Sequence, residues 1–326
     1  MTQASRTGRA RKGIGVTLIV IGVMLALVAQ FILYSDTART RLLFFLPVFL
    51  YLPWLLIPGG TFLFWRGRQY AAKADAERII TDSDPDVLYL RTFRSDPSTA
   101  GYVFWSSLTI VMVSGLATEE EQLADVLRPF GDLVAIGHPG ERLPEPGAAR
   151  IYTSDEEWKE VVKRQMQAAR LVIIRAGVGE NLVWELRKAV ETLNPRNVLI
   201  LVLQMKAKHY ESFRATVKSV SNVSLPEGAT LRYFGRVSGF IGFGAGWKPS
   251  VLRLPQLPYF RRSVYKPYRQ LFKFALRPVF ESFGLEWQPP PDVFWSNVIR
   301  VSLGLLFVIF AEFFGVQALI KFAAQR

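Results

Sequence analysis

Two long apolar runs near the start of the chain constrain its fold most. Residues 13–35 carry no charged side chain over 23 positions, and residues 42–65 carry none over 24. A helix of about 20 apolar residues crosses the hydrocarbon core of a bilayer, and the prolines at 47, 53 and 58 are tolerated in such a helix. The first run is longer than the apolar part of a signal peptide, and no small-residue cleavage site precedes the second. The sequence therefore predicts a two-helix membrane anchor within residues 1–80.

Basic residues outside the two runs predict the orientation of this anchor. The only charged residues between the two runs are Asp36, Arg39 and Arg41. The basic residues that flank the pair on its outer sides are Arg6, Arg9, Arg11, Lys12, Arg66, Arg68 and Lys73. Because Lys and Arg are enriched in cytoplasmic loops, the N-terminus and the following domain are expected in the cytoplasm. The Ala- and Arg-rich composition suits a bacterium, so we expect the inner (cytoplasmic) membrane.

A third apolar stretch lies at residues 301–320, within a C-terminal segment 293–326. Glu312 interrupts it, and an acid inside a membrane span is costly and often functional or paired. The alternative is a helix lying on the bilayer surface. We favour a third membrane helix.

The formal net charge of +13 sits on the flanks of the chain. Residues 81–250 hold equal numbers of basic and acidic side chains, whereas residues 253–277 hold seven Lys/Arg, no acid and several aromatic residues. Basic residues mixed with aromatic ones can form a platform for single-stranded nucleic acid. Beside a membrane, they more often press on anionic headgroups. Residues 251–292 are therefore predicted to be a juxtamembrane segment with the lipid bilayer as partner, and no nucleic acid is expected.

Composition also excludes several kinds of site. The chain has no cysteine and only two histidines, His138 and His209. Disulfides and thiolate catalysis are excluded, and a metal centre is not expected. The glycine-rich stretch 239–247 lacks the Lys-Ser/Thr of a phosphate-binding loop, and no Gly-x-Ser-x-Gly motif of a serine hydrolase is present.

Residues 81–250 alternate apolar runs with helical patterns, which predicts an α/β domain with a parallel sheet. Capping boxes at Thr118/Glu121 and Ser154/Glu157 mark two helix starts. The predicted strands are 87–93, 132–137, 171–176, 197–204 and 230–243, and the predicted helices are 118–131, 154–169, 181–193 and 209–221.

In open sheets of this kind, ligands bind beyond the carboxyl ends of the strands, where the strand order reverses. The loops 93–98, 137–147 and 176–184 are expected to meet there. The last of them leads into a helix that carries Trp184 and Glu185. This placement predicts that Glu185 lies at the rim of a shared crevice.

The order of these segments resembles a TIR (Toll/interleukin-1 receptor/resistance) domain, which has a flavodoxin-like fold. The similar stretches are "LYLRTFRSD" (88–96), "GHPGERLPEPG" (137–147), "VVKRQMQAARLVIIRAG" (161–177) and "VWEL" (183–186). The resemblance as a whole extends over residues 87–245, about half of the chain. Two departures concern the last stretches: Trp184 and Glu185 are adjacent, and the preceding strand ends in Arg-Ala-Gly rather than in a serine. The adjacent Trp-Glu pair looks more like nucleoside 2-deoxyribosyltransferase relatives, which also cleave N-glycosidic bonds.

The resemblance implies hydrolysis of NAD or a related nucleotide at the N-glycosidic bond. Since the nicotinamide leaving group is already cationic, one carboxylate near the ribose suffices to stabilise the developing positive charge. The resemblance gives this catalytic role to Glu185, with Glu180 as the fallback. The substrate-binding candidates are Phe93, Arg94, Asp96, Gly137, Gly177 and Trp184. For Trp184 a core position is favoured over a stacking role, whereas for Arg94 a solvated loop charge is weighed equally.

The alternative is a non-enzymatic TIR-like module that binds a nucleotide or self-associates at the membrane. The association loop would comprise His138, Pro139, Gly140, Glu141 and Arg142. A homo-oligomer is expected under either hypothesis. A glycosyl- or nucleotidyltransferase is less supported, because no metal-binding Asp-x-Asp motif is present.

Overall fold

The computed structural model describes residues 3–34, 46–82, 86–91, 118–137, 146–154, 156–177, 179–256 and 268–290. These residues belong to two compact units. The first holds helix α1 (Gln3–Tyr34) and helix α2 (Leu46–Asp82) as far as Ala74. The second is an α/β unit that holds the remaining elements.

Helices α1 and α2 pack closely through glycines. A Cβ atom added to Gly15 would lie 2.6 Å from the carbonyl oxygen of Gly60, and one on Gly60 would lie 2.6 Å from that of Gly15. A Cβ on Gly22 would lie 2.8 Å from the side chain of Ile57. The buried small residues recur every seven positions, at Gly15, Gly22 and Ala29 on α1 and at Pro53, Gly60 and Gly67 on α2. Small residues at this spacing let two helix backbones approach each other.

The outward surface of this hairpin is apolar. Its exposed large side chains include Ile14, Val20, Met24, Leu27, Tyr51, Leu55 and Phe62. Within the described ranges, one helical segment, Arg9–Ala29, is long and apolar enough to cross a membrane. The predicted second span falls on α2 for residues 46–65, and it stays a prediction. The third stretch, 301–320 with Glu312, lies outside the described residues.

The α/β unit alternates strands with helices in the order expected from the sequence. Its strands are β1 (Val87–Leu90), β2 (Leu133–Gly137), β3 (Ala149–Tyr152), β4 (Leu171–Arg175), β5 (Val198–Met205), β6 (Arg232–Tyr233), β7 (Arg236–Phe243) and β8 (Pro249–Arg253). Its helices are α3 (Glu119–Leu127), α4 (Trp158–Ala168), α5 (Glu180–Thr192), α6 (Ala207–Ser221), α7 (Tyr268–Ala275) and α8 (Arg277–Ser282). Short 3-10 turns are formed by Pro195–Asn197, Gly228–Leu231 and Ala245–Trp247.

All eight strands join one sheet in the order β3-β2-β1-β4-β5-β7-β6, with β8 also paired to β7. Strands β1 to β5 pair in parallel, and Leu88 lies opposite both Val134 on β2 and Val172 on β4. The strand order reverses between β1 and β4. A mostly parallel α/β sheet was predicted, and this prediction is confirmed. A flavodoxin-like sheet has the order 2-1-3-4-5, whereas here β3 lies outside β2 and the far side is antiparallel.

The sequence predicts one strand over residues 230–243, whereas the structure has two strands there, β6 and β7, which pair with each other. The short strand β6 ends in the turn residues Phe234 and Gly235, which have φ angles of 48° and 78°. Two consecutive positive φ angles are typical of a two-residue hairpin turn, which reverses the chain. Strand β7 therefore runs antiparallel to both β5 and β6.

Successive strand residues face opposite sides of the sheet, and this alternation separates the core into two layers. Val87, Tyr89, Leu171 and Ile173 contact α3, α7 and α8 on one side. Leu88, Leu90, Val172 and Ile174 contact α4, α5 and α6 on the other. We call these the α3 side and the α5 side of the sheet.

Helices α7 and α8 complete the α3 side. Phe272 packs edge-on against Phe240 of β7 with ring centroids 5.3 Å apart, and Phe280 packs against Phe130 at 4.8 Å. Part of the segment 251–292, assigned from its composition to the membrane surface, thus lies in the core. The reason is its amphipathic spacing, which buries Leu271, Phe272 and Ala275 together. Residues 257–267 of that segment lie outside the described residues.

The two predicted capping boxes locate the start of α3 correctly and the start of α4 incorrectly. At α3, Thr118 and Glu121 form the predicted reciprocal capping box. At α4, the amide of Glu157 donates to the Ser154 hydroxyl at 3.3 Å, but the helix begins at Trp158. The helix begins four residues after the predicted start, and residues 156–157 form a turn directly before it.

Candidate functional site

The carboxyl ends of β1 and β4 define the candidate site, because the strand order reverses between these neighbours. The chain leaves β1 at Arg91 and leaves β4 at Ala176 and Gly177. The predicted residues Phe93, Arg94 and Asp96 lie outside the described residues, as does the whole predicted association loop, His138–Arg142. The described part of the site therefore comes from the first turns of α3 and α5 and from the strand ends themselves.

Glu185 lies on the buried side of α5. It is 7% exposed and shares that side with Leu182, Leu186 and Ala189. Those three residues belong to the apolar core on the α5 side of the sheet. The adjacent Trp184 cannot share this position, because consecutive helical residues are about 100° apart around the axis. Glu185 is thus an acid in an apolar layer, one turn and a half from the start of a helix at the carboxyl edge.

Burial sets the ionisation of Glu185. Among the residues that the structure describes, no hydrogen bond or ion pair reaches its carboxyl group. Desolvation raises the pKa of Glu185 from 4.5 to about 8. An isolated carboxylate is costly in such surroundings, so the group is mostly protonated at neutral pH. A strongly perturbed acid is a candidate functional residue, although the described groove beside α5 is lined by Trp184 and not by Glu185.

The other candidates on these loops differ in their surroundings. Glu180, the fallback carboxylate, is the exposed first residue of α5. Gly177 lies at the end of β4, on the edge where the site was predicted. Gly137 ends β2, and a Cβ atom there would lie 2.6 Å from the ring of Tyr152. The ring of Tyr152 therefore fills the space next to Gly137.

Trp184 packs between α4 and α5. Its indole meets that of Trp158 edge-on with centroids 5.0 Å apart, and the ammonium of Lys159 lies 5.9 Å from both rings. Trp184 also lines an open groove of about 330 Å³ between the two helices. The remaining lining residues are Lys159, Glu160, Lys163, Arg187, Lys188 and Glu191. The described contacts of Trp184 are those of a helix-packing residue.

The structure brings together a cluster of charges on the α3 side that the sequence analysis did not identify. Glu120 lies 3.4 Å from Arg91 and 3.4 Å from Arg150, and it accepts a hydrogen bond of 2.9 Å from the amide of Ala148. All three charged side chains are at most 8% exposed. Glu120 therefore joins the end of β1 to β3 through buried ionic hydrogen bonds.

A second pair lies beside the first. Arg175, the last residue of β4, lies 3.4 Å from Glu119, with side chains 19% and 21% exposed. Arg175 also interacts electrostatically with Tyr89, and Tyr268 of α7 interacts in the same way with Glu119. Burial raises the pKa of Tyr89 and of Tyr268, so both phenols stay neutral. Burial acts to lower the pKa of Arg175, but Tyr89 and Glu119 raise it overall, so this side chain stays charged.

We call Arg91, Arg150, Arg175, Glu119 and Glu120, with the two phenols, the arginine cluster. The sequence contained one hint of it, since three acids occupy the first turn of α3. Such acids ordinarily complement the helix dipole, so their position alone does not predict arginine partners. Their arginine partners come from the ends of β1 and β4 and from the second residue of β3, so only the folded chain shows them together. Among the described residues, no group of His, Asp and Glu is arranged to hold a metal ion.

The described residues define a class of protein: an α/β unit with a mostly parallel sheet, a buried acid and a charged cluster at its strand-order reversal, and a separate apolar helical hairpin. No protein-family model matches the chain, and no curated protein or solved structure is significantly similar to it.

Proposed function

We propose that the protein is a membrane-tethered, TIR-like signalling or defence enzyme that hydrolyses NAD or a related nucleotide at the N-glycosidic bond. The observation that carries the proposal is Glu185, a buried acid with a raised pKa near the edge where α/β sheets bind ligands. The hairpin supports the membrane tether. Its outer surface is apolar, and such a surface on a pair of helices is typical of contact with lipid.

The chemistry requires one carboxylate. As the bond between the ribose C1′ and the nicotinamide nitrogen breaks, its electron pair neutralises the pyridinium and positive charge develops on the ribose. The Glu185 carboxylate stabilises that charge. Water then adds to C1′ and releases its proton to solvent, which gives ADP-ribose, nicotinamide and one proton. Because the leaving group departs neutral, no general acid is needed.

The raised pKa suits a cationic substrate. In the empty site the carboxyl group is protonated, which avoids a buried unpaired charge. A bound pyridinium cation favours the carboxylate, because a nearby opposite charge lowers the pKa of an acid. The substrate itself thus generates the ionised form that the reaction uses.

The test is nicotinamide release from NAD by the purified full-length protein in detergent, at concentrations that permit assembly. We expect kcat/KM to rise with pH and to level off above about pH 8. It should fall about tenfold for each pH unit below that value, because the free enzyme must lose the Glu185 proton. Glu185→Gln should abolish release while circular dichroism stays unchanged.

Glu180→Gln is the matched control, since it makes the same change on the exposed first residue of the same helix. Loss of activity in Glu180→Gln but not in Glu185→Gln would transfer the catalytic role to Glu180. No release by the wild type would contradict the enzymatic proposal and leave the non-enzymatic module, which nucleotide binding and the oligomeric state would then characterise.

A further inference from the structure

The groove between α4 and α5 has no part in the reaction proposed for Glu185, which does not line it. Its volume of about 330 Å³ lies within the range of small-molecule sites. Trp184 is half-buried and forms an aromatic wall of the groove. The charged lining residues are four basic and two acidic side chains, namely Lys159, Lys163, Arg187, Lys188, Glu160 and Glu191. The groove thus combines an aromatic surface with a surplus of positive charge.

Both acids of the groove are held in weak ion pairs. Glu160 lies 3.7 Å from Lys163, and Glu191 lies 3.2 Å from Lys188. The side chains of the two acids are 81% and 52% exposed. Exposed pairs of this kind contribute little to stability, because water screens them. A ligand anion can therefore compete with the two carboxylates for both ammonium groups.

The other two basic residues of the groove, Lys159 and Arg187, have no acidic partner among the described residues. The ammonium of Lys159 lies 5.9 Å from the rings of Trp158 and Trp184. The exposed Arg187 makes no hydrogen bond, ion pair or ring contact with any residue that the structure describes. Its guanidinium donors are therefore available to a ligand.

Helix stability does not account for the positions of these cations. Lys159 and Lys163 are four residues apart on α4, and like charges at that spacing destabilise a helix. Lys159 is also the second residue of α4, where the helix dipole disfavours a positive charge. Trp184 and Arg187 are three residues apart on α5, so they lie on the same side of that helix. An anion bound in the groove relieves the repulsion between the cations.

We propose that the α4–α5 groove is a second ligand site, which binds a nucleotide through both its phosphate and its base. Arg187 and Lys159 donate to the phosphate, because the planar guanidinium matches two phosphate oxygens and the ammonium adds charge. The base packs against Trp184, as bases stack on aromatic side chains in other nucleotide-binding proteins. The inference goes beyond the proposed function and does not depend on it, because Glu185 lies on the buried side of α5.

The experiment measures binding of ADP and of inorganic pyrophosphate to the full-length protein in detergent by calorimetry. Arg187→Gln is compared with Arg164→Gln, which changes an exposed arginine of α4 outside the groove. Neither arginine has a partner among the described residues, so neither change should affect folding. We expect ADP to bind the wild type and Arg164→Gln, more weakly at higher salt. Arg187→Gln should weaken ADP binding by about 10- to 100-fold, the usual effect of losing hydrogen bonds to a charged group.

Trp184→Leu tests the contact with the base. It should weaken ADP binding by about tenfold and leave pyrophosphate binding unchanged, because pyrophosphate has no base. Trp158→Leu is the matched control, since it removes the same contact between the two indoles but does not change a residue that lines the groove. Unchanged ADP affinity in folded Trp184→Leu, or an equal loss in Trp158→Leu, overturns the stacking of the base.

Two further results overturn the nucleotide site. The first is no ADP binding by the wild type, or the same ADP affinity in the wild type and Arg187→Gln. The second is binding of phosphatidylglycerol micelles that depends on Arg187, without binding of ADP. In that case the phosphate belongs to a lipid headgroup.

Glu185→Gln separates the groove from the candidate active site. ADP affinity that is unchanged in Glu185→Gln and reduced in Arg187→Gln supports the groove site, and it does so even if the wild type releases no nicotinamide. ADP affinity that is reduced in Glu185→Gln and unchanged in Arg187→Gln assigns the nucleotide to the candidate active site and overturns the groove site.

Discussion

At the scale of single residues, helical geometry places the adjacent side chains of Trp184 and Glu185 in different surroundings. Trp184 packs against Trp158 between α4 and α5, while Glu185 turns into the apolar layer of the α5 side. The sequence shows the pair but not which side of the helix is buried. That choice depends on where the sheet lies relative to α5, and so does the raised pKa of Glu185.

The buried acid has a measurable consequence for stability. Between the ordinary pKa of 4.5 and the folded value of about 8, the unfolded chain ionises Glu185 and the folded chain does not. The stability that Glu185 contributes is therefore complete below pH 4.5 and is lost as the pH rises towards 8. At pH 7 this loss amounts to as much as about 3 kcal/mol.

Glu185→Gln does not titrate, so we expect it to be more stable than the wild type by a margin that grows from pH 4.5 to pH 8. Urea unfolding of the two proteins at several pH values measures this margin. The matched change Glu180→Gln, at an exposed position of the same helix, is the control. A margin for Glu185→Gln that stays constant over this range would contradict the buried, protonated state.

At the scale of elements, the hairpin depends on close contact between two helix backbones. Gly15 and Gly60 each occupy a place where a Cβ atom would meet the carbonyl oxygen of the other. Gly59 is next in sequence to Gly60, yet a Cβ atom there would have no atom within 4 Å. The two glycines therefore offer a matched pair of positions, one packed and one open.

We expect Gly60→Leu to push α1 and α2 apart at a cost of about 1–3 kcal/mol, and Gly59→Leu to leave them in place. The chain has no cysteine, so spin labels can be attached to cysteines introduced at the exposed positions Thr17 and Phe62. Double electron–electron resonance should show a longer mean distance between the two labels, with a broader distribution, in Gly60→Leu but not in Gly59→Leu. Equal distances in both variants would contradict the described packing of the hairpin.

At the scale of the whole molecule, the distribution of charge predicts how the chain is oriented. The basic residues lie outside the two apolar runs, and the connection between them carries few. In the part of the chain that the structure describes, one helical segment, Arg9–Ala29, is long and apolar enough to cross a bilayer. Orientation and the number of crossings remain predictions from the positive-inside rule.

Labelling of introduced cysteines in intact bacterial cells tests this orientation. We expect Asp36→Cys, between the two predicted spans, to react with a membrane-impermeant maleimide. Arg196→Cys, exposed on the α/β unit, should react only after the membrane is permeabilised. Reversed labelling would contradict the cytoplasmic placement, and protection of both residues would contradict a hairpin that crosses the bilayer.

The sequence by itself determined the parts of this protein that depend on local periodicity. Continuous apolar runs predicted β2, β4 and β5 to within a residue or two, and the capping box located the start of α3. The α/β class followed from their alternation. Strand β3, the reversal into β7 and the docking of α7 and α8 came only from the tertiary structure. These features depend on which surfaces meet, and short or amphipathic segments do not specify that locally.

The same division holds for the candidate site. Glu185 could be named from its helix and from the strand before it, because both are local. The arginine cluster could not, since Arg91, Arg150 and Arg175 come from three strands whose neighbours are set by sheet order. A charge acquires its partner, its burial and its pKa from residues far along the chain. The tertiary structure therefore decided the electrostatics of the site, while the sequence by itself determined the strands and helices on which the site residues lie.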